Sequence, residues 1–441
     1  MSDNNSLLNP STKLYRFIVL FFASMLTFGS YFAYDIIGGI APTLVEQLPG
    51  GSRETVSTLY TAYSIAAILA LLVGGIMVDR LGVRLSSLIF SVLVLVGSLL
   101  VAFAQSLPVL FIGRFVFGAG AEPLVVAQSA IMARWFKGKE LALAFGVALT
   151  VSRLGTLFSL NTGELIAKRY KDVTTWYGGY RAALMAAVLF CVISLIANFI
   201  YNILDKRGEK ALQLPKPSSD KIVFSEIKNF KPSFWYISLI CVAFYSAIFP
   251  FTALSTDFFV DKWHIARTAP AQGGFFYEVF SSFLYMFSTA GGISSIIIFA
   301  SMVLAPFAGH LLDKFGKRAS IMIIGSLILI PSHLVMAVTN IYPAWPMMAL
   351  GAAFVLVPAA MWPAIPLVVK AEQVGTAFGI CTMIQNIGLA LFPYLNGMLR
   401  DKTKSYTASM LMFVGLGVLG LIFSIMLKLA DRKANDVLDK P

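Results

Sequence analysis

Long apolar runs separated by short polar breaks cover most of the chain. A helix needs roughly 20 apolar residues to cross the hydrocarbon of a bilayer. Runs of that kind lie near 17–44, 53–78, 86–106, 108–133, 139–165, 180–204, 233–256, 289–312, 319–340, 342–369, 375–399 and 406–429. The pattern predicts an all-α membrane protein of twelve transmembrane helices. One long polar stretch, DKRGEKALQLPKPSSDKIVFSEIKNFKPS, interrupts it between the sixth and seventh runs. The expected organisation is a tail over 1–16, a six-helix half over 17–204, a linker over 205–232, a second six-helix half over 233–429 and a tail over 430–441. Within the second half, a segment near 257–288 does not fit the span pattern. Its apolar part, Phe275 to Phe287, is too short to cross a bilayer, yet Phe276, Val279, Phe280, Phe283, Leu284 and Phe287 follow helical spacing. It reads as a short interfacial helix on the outer side or as an N-terminal extension of the eighth span, with a functional lid as a further alternative.

Composition agrees with that class. The 441 residues are 58% hydrophobic and 13% charged, with a mean hydropathy of +0.80. A soluble chain carries about a quarter charged residues. The net charge of +12 would suggest nucleic acid in a soluble protein, but here it fits loops on one side of a membrane. With the N-terminus placed inside, Lys and Arg on the inner side outnumber those outside roughly two to one, which puts both termini in the cytoplasm. Cys191, Cys241 and Cys381 fall inside apolar runs and imply packing rather than disulfides. The first apolar run follows a polar tail and exceeds signal-peptide length, so no cleaved leader is expected.

A repeat follows the second and the eighth spans. GGIMVDRLGVR and AGHLLDKFGKR align as G-x-x-x-D-(R/K)-x-G-x-R, placing Asp79 on Asp313, Arg80 on Lys314 and Arg84 on Arg318. Glycine permits a tight turn between helices, and the charges can pair across to a neighbour. A cytoplasmic ion-pair latch made in one conformation and broken in another would suit alternating access. The repeat resembles motif A of the major facilitator superfamily, and GRFVFGAGA with Arg114 is similar to that superfamily's fourth-helix motif. The resemblance implies the major facilitator fold of two six-helix halves and a gating role for these charged residues.

The fourth span carries a single carboxylate, Glu122, in FGAGAEPLVVAQSAIM. It lies about 21 Å along its helix, and Arg153 on the antiparallel fifth span lies about 21 Å along its own, at roughly 1.5 Å per residue. An isolated charge at the bilayer centre costs at least ~2.5–3.5 kcal/mol, so each needs a partner or a wet cavity. One reading is a structural ion pair between the two helices. The other is a pair of charges that holds the two ends of a zwitterionic ligand. Asp35 in GSYFAYD is either a cavity residue or a water-exposed mouth residue. Trp362, Gln385 and Asn386 are candidates to line the second half against a variable side chain, with packing as the alternative. His333 reads as a core histidine. No nucleophile–base pair, metal cluster or phosphate loop stands out, so an enzyme, a metal and a cofactor are not expected.

The run GRFVFGAGAEPLVVAQSAIMARWFKGKELALAFGVALTVSRLGT, with GSYFAYD, FPFTAL and VGTAFGICTMIQNIGLAL, resembles a narrower group. This is the lysosomal dipeptide transporter family known as major facilitator superfamily domain-containing protein one. The resemblance implies uniport of short peptides, mainly dipeptides, without an obligatory ion gradient, and a peptide site using Glu122 and Arg153. The longer 257–288 segment is closer to bacterial relatives, and no outward loop carries an N-x-S/T sequon. These features favour the cell (inner) membrane, a monomer in the lipid bilayer and no accessory glycoprotein. DNNSLL near the N-terminus matches an acidic dileucine signal and keeps the lysosomal membrane as the alternative. Proton-coupled transport of an amino acid, siderophore or drug, and a non-transporting receptor, are the competing functions. The fifth span lacks the G-x-x-x-G-P-x-x-G-G pattern of proton–drug antiporters, and the first lacks the E-x-x-E-R of proton–oligopeptide symporters.

Overall fold

A computed structural model describes residues 9–136, 140–171, 178–212, 230–270, 273–370, 374–433 and 436–438. The DNNSLL stretch and most of the 205–232 linker lie outside the described residues, as do the side chains of Asp79 and Asp313. The described chain is helical, with one isolated bridge between Ala266 and Thr289. Among the described residues, eleven helical stretches are long and apolar enough to cross a membrane. The remaining predicted span, the eighth, lies in the helix Ala290–Phe315, which includes the apolar stretch Ala290–Ala305. The protein is a multi-pass membrane protein.

Helix ends follow the sequence closely, but two spans differ from the simple rods expected. The first is divided into α1 (Lys13–Met25), α2 (Phe28–Gly39) and α3 (Ala41–Gln47). Its first break frees carbonyls at the end of α1, and the amide of Gln128 takes them up, donating to Ala23 O (2.9 Å) and Ser24 O (3.2 Å) as well as to Thr27 Oγ1 (2.9 Å). A break in a membrane helix survives only where such donors re-satisfy the backbone. The second and third spans are joined in α4 (Arg53–Phe103), which bends at Gly82 with φ 79° and ψ 163°. That backbone region is essentially reserved for glycine. The other copy of the repeat also turns on its glycine, Gly316, at φ 61°.

The remaining helices are α5 (Leu107–Phe136), α6 (Leu141–Arg169), α7 (Tyr180–Leu212), α8 (Pro232–Trp263), α9 (Phe275–Leu284), α10 (Ala290–Phe315), α11 (Arg318–Val338), α12 (Ala344–Val368), α13 (Val374–Thr403) and α14 (Thr407–Lys433). Compactness divides the chain into two units. Unit 1 holds residues 1–36, 65–159 and 181–219; unit 2 holds 37–64, 160–180 and 220–441. The division therefore cuts through α2, α4 and α6, and separates the first residue of α7 from the rest of that helix. In unit 2, α8 packs on α13 and α14, α11 on α12 and α14, and α10 on α12. The same unit takes in α3, the first part of α4 and the last part of α6, the ends that the charge asymmetry assigns to the outside.

Candidate functional site

Three helices of unit 1 bring the predicted charges together. On α2, Tyr31 and Asp35 are four residues apart and share a helix face. On α6, Arg153 and Thr156 do the same at a spacing of three. Thr156 Oγ1 donates to Asp35 Oδ2 at 2.5 Å. Tyr31 lies within the electrostatic reach of Glu122, Arg153 and Asp35 together. Asp35 in turn feels Arg114, whose guanidinium is 1% exposed, donates to Ala33 O (3.2 Å) and lies over the rings of Tyr34 (5.4 Å) and Phe117 (5.1 Å). Glu122 therefore shares this group with a second carboxylate, Asp35. Asp35 on α2 and Glu122 on α5 bring carboxylates to this group, and Arg114 on α5 and Arg153 on α6 bring guanidinium groups, with Tyr31 within the electrostatic reach of Glu122, Arg153 and Asp35. Sequence reasoning missed Tyr31 and Thr156, whose only signal was their spacing from Asp35 and Arg153. It grouped Arg114 with the gate; in the structure Arg114 is buried and within the electrostatic reach of Asp35.

The first copy of the repeat does form an ion-pair network, though within unit 1. Arg84 pairs with Glu209 (2.6 Å) and Asp205 (3.5 Å), and Arg134 joins the same two carboxylates at 3.0 and 3.2 Å. Trp135 Nε1 donates to Asp205 Oδ1 at 2.7 Å. This network braces α4, α5 and α7 against one another. Arg80 and Lys314 are exposed, Lys314 lying near the Phe315 ring (5.3 Å), and the Arg318 backbone N–H donates to Leu438 O (3.0 Å). The structure brings neither Arg80 nor Lys314 into an ion pair of the described residues.

Unit 2 contains a clasp that the sequence did not reveal. Arg53, at the start of α4, donates through Nε to Asp257 Oδ2 (2.8 Å) and through Nη2 to Oδ1 (3.3 Å), and Tyr406 Oη donates to the same carboxylate at 2.5 Å. The Glu54 backbone N–H donates to Asp401 (2.8 Å), and Thr61 Oγ1 to Ala390 O (2.6 Å). Arg267 pairs with Glu46 on α3, Thr256 Oγ1 donates to Gly38 O (2.6 Å), and Asn161 Nδ2 donates to Ser295 Oγ (2.8 Å). The end of α2, α3, the start of α4 and the last part of α6 are thereby tied to α8, α10, α13 and the loop after α8. Outside the spans, the guanidinium of Arg267 holds the Glu46 carboxyl below the ordinary glutamate range.

In unit 2, Trp362 belongs to an aromatic group. Trp362 Nε1 donates to Tyr245 Oη (2.9 Å) and stacks on Phe378 (5.9 Å, 16°), while Tyr245 stacks on Phe249 (5.7 Å, 2°). Gln385 accepts from Cys241 Sγ at 3.7 Å. Asn386 is 1% exposed and donates to Thr382 O of its own helix, so it packs inside rather than lining a surface. His333 is wholly buried between Phe251 and Phe413, a core residue.

The model of the Major Facilitator Superfamily matches residues 23–290 and 275–440. The chain belongs to the major facilitator superfamily. This superfamily member is 32% identical over 437 residues to the lysosomal dipeptide transporter MFSD1 of Danio rerio, covering 97% of this chain and 89% of that protein. The Homo sapiens MFSD1 is 31% identical with the same coverage. Among solved structures, a bacterial homolog of the human lysosomal transporter Spinster, in an inward-facing and occupied conformation, aligns with a TM-score of 0.69. It shares 16% identity and covers 98% of this chain and all of that one. A point mutant of the nucleoside transporter NupG aligns with a TM-score of 0.68 at 14% identity, covering 93% of this chain and 99% of that one. These two likenesses speak to the fold alone.

Proposed function

We propose that the protein is a twelve-span facilitator with both termini in the cytoplasm that carries dipeptides across the cell membrane by alternating access, as a uniporter and a monomer. The observation that carries this reading is that Glu122, Arg153 and Asp35 all lie within electrostatic reach of Tyr31, in a chain similar over 97% of its length to a dipeptide transporter. A dipeptide zwitterion presents an ammonium and a carboxylate two residues apart. Glu122 accepts from the ammonium, and the planar fork of Arg153 holds the carboxylate through two N–H bonds. Tyr31 stands where it can hydrogen-bond the peptide between them. The two six-helix halves alternate, with the Arg53–Asp257 clasp as the outer closure.

Counterflow in proteoliposomes is the test. Charge-assisted hydrogen bonds are worth about 1.5–3 kcal/mol, so Glu122→Gln should cost roughly tenfold or more in dipeptide affinity. N-acetylated dipeptides, which have no ammonium, should lose far less. Arg153→Lys keeps the charge but not the fork, and should lower transport of both. Equal losses for free and acetylated ligands with Glu122→Gln, together with a lower unfolding temperature, would mean a structural ion pair instead. A second reading, proton-coupled transport of another small solute, draws on Asp35 as a second carboxylate bonded to Thr156. It requires an imposed pH gradient to drive net accumulation of that solute above its outside concentration. The uniport reading requires that a pH gradient drive no such accumulation.

A further inference from the structure

Helix α9 is assembled inside out for a water-facing surface. Phe276 (87% exposed), Phe280 (60%) and Leu284 (66%) recur every four residues and form one outward face, flanked by exposed Tyr277, while Ser281 and Ser282 are turned inward and buried. Leaving such a face in water is unfavourable in proportion to its apolar area. The face does not end with the helix. Phe287, just beyond it, is exposed, and its carbonyl accepts from Tyr342 Oη at 2.5 Å in the turn between α11 and α12. That turn exposes Ile341 and Tyr342, Trp345 is exposed at the start of α12, and Val338 is exposed at the end of the membrane-spanning α11. The α9 face is therefore continuous with the lipid-facing surface of two spans, at the level where Tyr and Trp collect in membrane proteins.

The opposite side of α9 is polar and tied to the fifth span. Glu278 pairs with Arg169 at 2.6 Å, Arg169 also donates to Gly273 O (3.4 Å), and its guanidinium lies over Phe275 (6.0 Å). Glu278 accepts from the Gly273 backbone N–H at 3.2 Å, closing the helix start. Arg169 is the last residue of α6.

We propose that α9 lies in the plane of the outer leaflet, with Phe276, Phe280 and Leu284 at the headgroup–acyl boundary, and acts through Glu278–Arg169 as a lipid-borne strut for the outer end of α6. The aromatic and aliphatic face with no hydrogen-bonding side chain but Tyr277, and its continuity with α11 and α12, favour lipid over an aqueous lid or a second copy of the chain.

The native cysteines are buried, so single spin labels can be placed at Phe276→Cys, Phe280→Cys and Leu284→Cys in nanodiscs, with exposed Lys402→Cys as the aqueous reference. The expected result is an oxygen-to-nickel-chelate accessibility ratio several-fold above that at 402 for all three sites. A ratio like that at 402 would mean a water-facing lid and would overturn the proposal. Low access to both reagents, with dipolar broadening that grows as more protein is loaded per disc, would mean a second copy and would overturn it equally. For the strut, Glu278→Gln should raise the mobility of a label at Lys171→Cys while leaving the accessibility ratio at 280 high. Unchanged mobility would remove the strut from the proposal.

Discussion

Asp257→Asn is the sharpest perturbation of the outer clasp. The Asp257 carboxylate is 4% exposed and receives three donor atoms, Arg53 Nε at 2.8 Å, Arg53 Nη2 at 3.3 Å and Tyr406 Oη at 2.5 Å. The asparagine removes the charge and turns an amide N–H₂ toward a guanidinium that has nothing to accept with. A hydrogen bond to a charged group is worth about 1.5–3 kcal/mol. The Arg53 side chain is 25% exposed, so water screens part of that, and a net loss of about 2 kcal/mol is expected. At 1.4 kcal/mol per tenfold, the closed outer arrangement should become roughly 30-fold less favoured. Arg53 regains water when the clasp opens, so the loss falls on the closed state. Spin labels at Lys171→Cys and Lys402→Cys would read the separation of the outer ends by double electron–electron resonance. Asp257→Asn should add a longer-distance population, and Tyr406→Phe, which removes a single hydroxyl donor, should do so to a lesser degree. An unchanged distance distribution together with unchanged dipeptide counterflow would show that the clasp does not control closure.

The pH dependence of the clasp follows from Glu46, whose carboxyl is held low first by the hydrogen bond from Arg267 and then by the charges of Arg267, Lys171 and Arg53, against desolvation. A depressed carboxylate contributes its share of closure above its unpaired value near pH 4 and loses it as pH falls through the depressed one, so the 171–402 distance should be flat from about pH 8 to about pH 5 and lengthen only below about pH 4. Lengthening between neutral pH and 5 would place the controlling group elsewhere. For the repeat, Gly82→Ala forces a side chain into a backbone region reserved for glycine and should destabilise by ~1–3 kcal/mol. Gly75→Ala sits in a helix with nothing within 4 Å of an added Cβ and should be neutral or stabilise by up to about 1 kcal/mol. Thermal unfolding that moves equally for both would refute the turn argument.

Much of this architecture was legible along the chain. Hydropathy is a local quantity, and a run of apolar residues must find lipid or core wherever it goes, so helix limits such as α5 (Leu107–Phe136) and α11 (Arg318–Val338) fall within a few residues of the sequence estimate. The turn glycine Gly82 was readable because its backbone demand is also local. The break of the first span was not, since the Gln128 amide that satisfies it arrives from another helix. The depth of Glu122 and Arg153 could be estimated by counting residues from their helix entries. That both reach Tyr31 electrostatically, together with the Thr156-bonded Asp35, depends on how the helices are rotated about their axes.

Sequence alone determined the membrane class, the span limits, the repeat and the pair of opposed charges, because each is set by composition, spacing or the rise of a helix. Tertiary structure alone decided which charges meet. Arg84 finds Asp205 and Glu209 on α7, and Arg53 finds Asp257, a residue 204 positions away. A span's hydrophobic pattern reports that a helix is buried, but lipid is as apolar as most of its neighbours, so the pattern scarcely distinguishes a lipid-facing side from a helix-facing one. Lateral partners in a membrane are chosen by packing and polar pairing between distant segments, and that choice exists only once the helices have assembled.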